Sequence, residues 1–322
     1  MRMRGVLVGM AALMAWAGHG AEGSATNLTK RASARASVKS SPSEQPAAKA
    51  KPSAAPKAKP PAAAKSQAPD GSVRISAGVN TGTDPDYGTY TLTVTDPFHM
   101  DKSEVTWRLW REVRDWAVTN GYEDLAVAGA GKADDHPVQR VSWYECVKWC
   151  NARSEKEGLV PCYTVGGAVC RAGGGSPDCS FASSGYRLPT STEWEYAARG
   201  GLTGQRFPWG DAITHAQANY YSREGDANDT SPTRGYHPEY CREAMPYTSP
   251  AGAFEANGYG LFDMAGNVWE WCWAPKGSSR TYRGGSWDGD AGGVRCGTRT
   301  VNDGANERSA YGGFRCVRRT GQ

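Results

Sequence analysis

The sequence predicts a single α+β domain, rich in irregular structure, over residues 72–322. Three observations predict it. Glycine is abundant, at 40 of 322 residues, which suits a chain whose turns are set by backbone freedom. Every tryptophan but Trp16 lies in this stretch, enough aromatic surface to anchor a core. Helical periodicity appears only in short segments, separated by alternating apolar and polar runs.

The elements follow in chain order. Arg2 and Arg4 precede an apolar run from Gly5 to Trp16 and then small residues, the layout of a secretory signal peptide over residues 1–21. Cleavage is expected after Ala17 or Ala21, and the mature chain is expected to be secreted or periplasmic, with no transmembrane segment. Residues 22–71 are dominated by Ala, Lys, Pro and Ser without an aromatic, a composition that cannot bury enough surface to offset chain entropy, so they read as a disordered linker. The leader holds two arginines and the linker nine Lys or Arg against three acids, so the chain's +4 leaves −4 on the remaining residues. That balance excludes nucleic acid as the expected partner of the domain.

Within the domain, SVRISAGV alternates as a strand does, and YTLTVTDPFHM reads as a second strand ended by Pro97. Thr106 precedes an apolar stripe at Leu109, Trp110, Val113 and Trp116, one face of a first helix. Ser142 with Glu145 and Thr190 with Glu193 form two capping boxes opening further helices, which Gly158 and Gly200 stop. Beyond Gly201 the chain reads as loops and short strands. Residues 160–184 carry Cys162, Cys170 and Cys179 among glycines, the pattern of a loop held by disulfide rather than by packing. All nine cysteines lie between 146 and 316, in a chain expected in an oxidising compartment. The odd number leaves at least one thiol unpaired or intermolecular, and no CxxC spacing suggests zinc.

The motifs HPVQRVSWYECVKWCN, YRLPTSTEWEYAARGG, FPWGD, QANYY, NGYGLFDMAGNVWEWC, RGGSW and GGFRCVR occur in the order found in formylglycine-generating enzymes, the sulfatase-modifying factors. The chain resembles that family from about Val73 to Arg318, which implies an α+β domain of the C-type-lectin-like kind. Active members oxidise a sulfatase cysteine with oxygen and Cu(I) held by two thiolates, soft ligands suited to that ion. By resemblance those cysteines fall two and seven residues after Trp287, where this chain has Gly289 and Val294. Copper is therefore not expected, nor any catalytic residue at this place. The resemblance makes Cys296 structural, without its usual partner because position 198 is alanine. It implies a disulfide between Cys150 and Cys316; Cys162 with Cys179 is the next pairing expected, with Cys146, Cys170, Cys241 and Cys272 unassigned. It also implies calcium at Asp263, Gly266, Val268 and Glu270, the middle two through backbone oxygen, against a simpler reading in which Glu270 pairs with an arginine. Iron bound by three histidines is disfavoured, because the five histidines are scattered.

Two functions follow from this. The first is a non-catalytic binding or scaffold module for a peptide, protein or glycan, with a cleft formed by Trp269, Ser286, Trp287, Asp288, Asp290, Arg295 and Arg299. A sharper form makes residues 288–312 a segment diversified by a retroelement, since Asp288, Gly289, Asp290, Thr298, Asp303, Ser309, Ala310 and Tyr311 are each one or two adenine changes from an asparagine codon. The second is an enzyme: formylglycine generation itself or another oxidative maturation on the same scaffold. The missing sulfurs favour the first.

Overall fold

The computed structural model describes residues 71–275, 279–302 and 304–320. The expected signal peptide and nearly all of the expected linker lie outside them, as does Asp303. The strands are β1 (Ser72–Ile75), β2 (Gly78–Asp84), β3 (Gly88–Val94), β4 (Phe98–Asp101), β5 (Tyr163–Val165), β6 (Ala168–Val169), β7 (Asp178–Cys179) and β8 (Tyr186–Arg187), then β9 (Trp269–Cys272), β10 (Arg280–Arg283), β11 (Arg299–Asn302), β12 (Gly312–Gly313) and β13 (Val317–Arg319). Three helices, α1 (Trp107–Val118), α2 (Trp143–Lys156) and α3 (Ser191–Ala198), complete the α+β fold. One sheet has the order β1-β4-β13-β8 and a second β11-β10-β9-β12, with a β2-β3 hairpin and a small β6-β5-β7 sheet beside them.

The helices begin where capping chemistry starts them. The Thr106 hydroxyl accepts from Leu109 N, and both reciprocal boxes, Ser142 with Glu145 and Thr190 with Glu193, are present. Each satisfies backbone donors that the first helical turn leaves open. The α1 stripe buries Trp110, Val113 and Ala117. Trp110 stacks on Trp149 of α2 with centroids 5.6 Å apart, and Phe314 packs edge-on against both rings. Six of the tryptophans, Trp287 among them, are core residues with almost no exposure.

Three sequence expectations are corrected. SVRISAGV is two strands, because β1 pairs with β4 while β2 turns away after Ser76-Ala77 to pair with β3. YTLTVTDPFHM is also two, β3 and β4, with Pro97 in the break; proline has no N–H to continue a ladder. Residues 160–184 are held by packing as well. Cys162, Tyr163 and Cys170 are buried in the largest core cluster, and the Asn151 amide donates to the carbonyls of Tyr163 and Cys170.

Candidate functional site

The RGGSW turn runs out of β10 and builds the candidate site. Gly284 and Gly285 both have positive φ, at 90° and 75°, and a Cβ on Gly285 would come 2.5 Å from Val294 Cγ1. Only glycine allows the following loop to fold back this closely. The loop is then tied at several points. Arg283 donates to the carbonyls of Cys296, Gly297 and Thr298 and to Glu195, and Thr298 Oγ1 donates to Gly292 O at 2.8 Å. Gly289 O accepts from Tyr221 N and Trp287 N donates to Asn267 O, each at 2.8 Å.

Gly289 and Val294 are neighbours across this loop, since a Cβ on Gly289 would lie 3.9 Å from Val294 Cγ1. Val294 is fully buried beside Phe207, Ile213, Ala218, Tyr220, Ala265 and Ala291. The place where the resemblance puts two copper-binding sulfurs is thus filled with hydrocarbon and one bare backbone position. Cys296 does not replace them. It is buried, and burial pushes its thiol up to about 12, with Arg199 opposing; a thiol held protonated is neither a nucleophile nor a soft anionic ligand.

The predicted cleft residues divide. Trp287 is 2 % exposed and Ser286 is also buried, so they form a floor and not a surface. Asp288 is exposed and accepts from the Tyr236 hydroxyl at 2.8 Å. Asp290 pairs with Arg223 at 3.1 Å. Trp269 is half-buried, and its backbone N–H donates to Tyr311 O. Arg295 faces elsewhere, pairing with Asp86 at 3.1 Å, and Arg299 is exposed at the start of β11. The rim is made by Tyr311, which the sequence reading placed in the 288–312 segment, and by Tyr236 and Tyr247, which it missed: the three pack on Trp287 with centroids 5.0, 5.8 and 5.3 Å away, and Tyr221 packs on Tyr236. No local spacing marks Tyr236 or Tyr247, since they come from an irregular stretch forty or more residues before Trp287 in sequence.

The cysteine expectations meet a mixed geometry. All nine are thiols; Cys150 and Cys316 have sulfurs 3.6 Å apart in the core. Cys162 Sγ instead donates to Gly185 O, although the neighbouring Tyr163 is the register partner of Cys179.

The four-residue calcium set fits only in part. Glu270 is fully buried, but its two oxygens accept from Arg315 at 2.6 and 2.7 Å, and Oε2 also accepts from Trp194 Nε1. A guanidinium therefore takes the carboxylate that calcium was expected to use. Asp263 Oδ1 is buried without a partner, as are both carboxylate oxygens of Glu104, a residue absent from the sequence-derived set. Burial, then the Asp263 charge, raises Glu104 well above its usual range, and burial likewise raises Asp263. Three buried acids, Glu104, Asp263 and Glu270, thus lie near one arginine, and burial favours the protonated form of Glu104 and Asp263; an oxygen-seeking cation would have to displace those protons. Among the described residues no three His, Cys, Asp or Glu side chains converge as a metal cluster, so such an ion would rest on two carboxylates and backbone oxygen. Also among the described residues, no helix is long and apolar enough to cross a membrane.

Comparison with known proteins agrees with this geometry. Residues 56–320 match the model of the sulfatase-modifying factor enzyme 1-like domain, a match that begins inside the stretch read as linker. The chain is 34% identical to the formylglycine-generating enzyme of Thermomonospora curvata over 233 residues, covering 63% of each. It is 30% identical to the chaperone protein LppX of Paenibacillus barcinonensis, covering 68% of this chain and 79% of that one. It is 37% identical to the inactive C-alpha-formylglycine-generating enzyme 2 of Mus musculus over 147 residues, 43% of this chain and 44% of the mouse protein. Among solved structures, Treponema denticola variable protein 1 is similar with a TM-score of 0.58 and 26% identity, over 77% of this chain and 95% of that one. CarF is similar with a TM-score of 0.59 and 28% identity, over 78% and 98% respectively. With the ordered motifs, the α+β architecture and the RGGSW loop all in place, this chain belongs to the sulfatase-modifying factor enzyme 1-like domain family.

Proposed function

We propose that the protein is a non-catalytic binding module that uses the loop after Trp287 and its tyrosine rim to hold a ligand. The observation that carries this reading is the pair Gly289 and Val294: side-chain hydrogen and buried isopropyl stand where two thiolates would bind copper. Without them no thiolate at these two positions can hold Cu(I), and Asp288 and Asp290 are engaged by the Tyr236 hydroxyl and by Arg223. The family includes a relative named inactive, and the likeness to a protein named variable agrees with a scaffold that presents changeable side chains. The described residues of 288–312 are partly in keeping with such a segment: Asp288 and Tyr311 are exposed, while Gly289 is half-buried.

The test is an immobilised-peptide and glycan array probed with the purified chain and with a Tyr236→Ala, Asp288→Ala variant. Ligands retained by the natural chain and lost by the variant support the reading. Retention that ignores both substitutions would overturn this placement of the site.

Calcium belongs to the same proposal as a stabilising ion, bound by Asp263 and Glu104 with the carbonyl oxygens of Gly266 and Val268. Glu270 would contribute only through Arg315, which it orients. The ion would supply positive charge to neutralise the buried acids, and the chain's residues would supply its oxygen shell.

A further inference from the structure

We infer that the protein carries a phosphate-binding site built by Arg74, His99 and Arg318 across one face of the β1-β4-β13-β8 sheet. The site uses none of the residues of the loop after Trp287 and stands apart from the reading above.

Strand register puts the three side chains together. Arg74 of β1 lies opposite His99 of β4, and His99 lies opposite Arg318 of β13. Directly opposed residues of antiparallel strands share a face, so the three form one row across the sheet. The other face of the same strands is core, with Ile75, Phe98, Met100 and Val317 buried in one cluster. The two arginines are about 10 Å apart at their backbones, two strand spacings. Side chains of that length can converge over the imidazole between them.

Cations on neighbouring strands repel one another unless acids offset them. Two acids reach this face, Asp101, two residues along β4, and Glu157, just after α2, and Arg153 takes both, at 2.7 and 3.2 Å. Glu157 also accepts from the hydroxyl of Tyr186, the residue opposite Arg318 on β8. Among the described residues, Arg74 has one side-chain hydrogen bond, to Ser76 Oγ at 3.4 Å, and Arg318 has only a ring contact, its guanidinium 5.6 Å from the centre of Tyr186. Stacking on a ring leaves the in-plane N–H donors of a guanidinium open. Both arginines thus keep their charge uncompensated, on residues 72–322 whose net charge is −4.

His99 marks the same place from within. It is 9% exposed, and its Nδ1 is buried with no partner, a polar atom left without the hydrogen bond that burial demands. Burial, then Arg318 and Arg74, lowers its imidazole from the usual 6.5, so the ring is neutral at pH 7 and can take up a proton when an anion arrives. An anion supplies both things the row lacks, negative charge between the arginines and an oxygen for the imidazole. Three donor side chains on three strands match phosphate, which has an oxygen for each and up to two charges. A carboxylate has two oxygens and one charge to share between two guanidiniums. The row also has an open side, because Arg74 is exposed on the edge strand of the sheet.

The experiment is titration of the purified chain with inorganic phosphate at constant ionic strength. The readout is the set of His99 imidazole ¹⁵N–¹H correlations, assigned by their absence in His99→Gln. Phosphate is expected to shift them saturably and to raise the titration midpoint of His99, since a bound anion favours the charged ring. Acetate should bind about tenfold more weakly or less. Arg74→Gln, at an exposed position, and Arg318→Gln should each weaken phosphate about fivefold or more, while Arg108→Gln, exposed on α1, should leave it unchanged. Sedimentation with vesicles of phosphatidylglycerol in phosphatidylcholine separates the sources of the phosphate. Co-sedimentation that Arg74→Gln removes assigns a lipid headgroup, and its absence beside a saturable phosphate shift assigns free phosphate or a soluble ester. The inference is overturned if neither phosphate nor vesicles bind, if acetate matches phosphate, or if Arg74→Gln changes nothing.

Discussion

Glu270 and Arg315 meet with no solvent exposure on either side, so each is the other's condition for being buried. Arg315 also donates to the carbonyls of Lys102 and Phe262, which makes it the pin between the last strand and two loops. Arg315→Met should therefore cost on the order of 3–5 kcal/mol by denaturant unfolding, because it strands a buried carboxylate. Glu104 and Asp263 give a pH-dependent companion. Both are raised in the fold above their usual values of 4.5 and 3.8, so the folded state binds more protons than the unfolded chain. In calcium-free buffer their contribution is complete below the ordinary carboxylate range and is lost as pH rises from there toward the folded values. Added calcium should recover that loss near neutral pH, seen as a rise in Tm. Glu104→Gln should shrink the falling limb to the part owed to Asp263 and abolish the calcium response; an unchanged response would remove Glu104 from the proposed site.

Helix α2 shows what a short motif can settle and what it cannot. Its start was legible in the sequence because Ser142 and Glu145 sit at capping-box spacing and the chemistry of that box is local. Ser142→Ala should cost about 1 kcal/mol in the same unfolding assay. Cys150 on this helix touches Cys316 beside β13; if the two are oxidised in the purified protein, non-reducing mass spectrometry will recover the linked peptides, and loss of the bond should cost roughly 3 to 5 kcal/mol. Apart from the QANYY motif, the stretch from Ile213 to Thr248 was not legible, because its order comes from polar side-chain contacts that no periodic pattern marks. His136 Nδ1 meets Thr248 Oγ1, His215 Nε2 donates to Tyr220 O, and His237 Nε2 donates to His215 O. All three imidazoles are lowered from their usual value of 6.5, chiefly by burial. Their stabilisation is present above that value and is lost as pH falls through the lower folded values. Amide exchange in this stretch should accelerate below about pH 6 before exchange in the two four-stranded sheets does, and the tyrosine rim should loosen with it.

Across the whole molecule, the ordered motifs made the fold readable because each one serves backbone geometry: glycines at tight returns, capping boxes, tryptophans with one inward face. Of the candidate site, the sequence showed the floor residues Ser286 and Trp287, the rim residue Asp288 and the residues at positions 289 and 294. The rest was hidden because Tyr236 and Tyr247 reach Trp287 through tertiary folding, and because Glu104 reaches Asp263 across more than half of the domain. On the proposed reading, the scaffold of the sulfatase-modifying factor enzyme 1-like family persists here without copper chemistry at the loop after Trp287. The most direct test is to incubate the purified chain, with folding verified, with Cu(I), oxygen and a CxPxR peptide, beside a Gly289→Cys, Val294→Cys variant, and to follow the peptide cysteine by mass spectrometry. The account predicts no formylglycine from the natural chain, whatever the variant regains. Conversion by the natural chain at enzymatic rates would contradict it and require a copper site elsewhere.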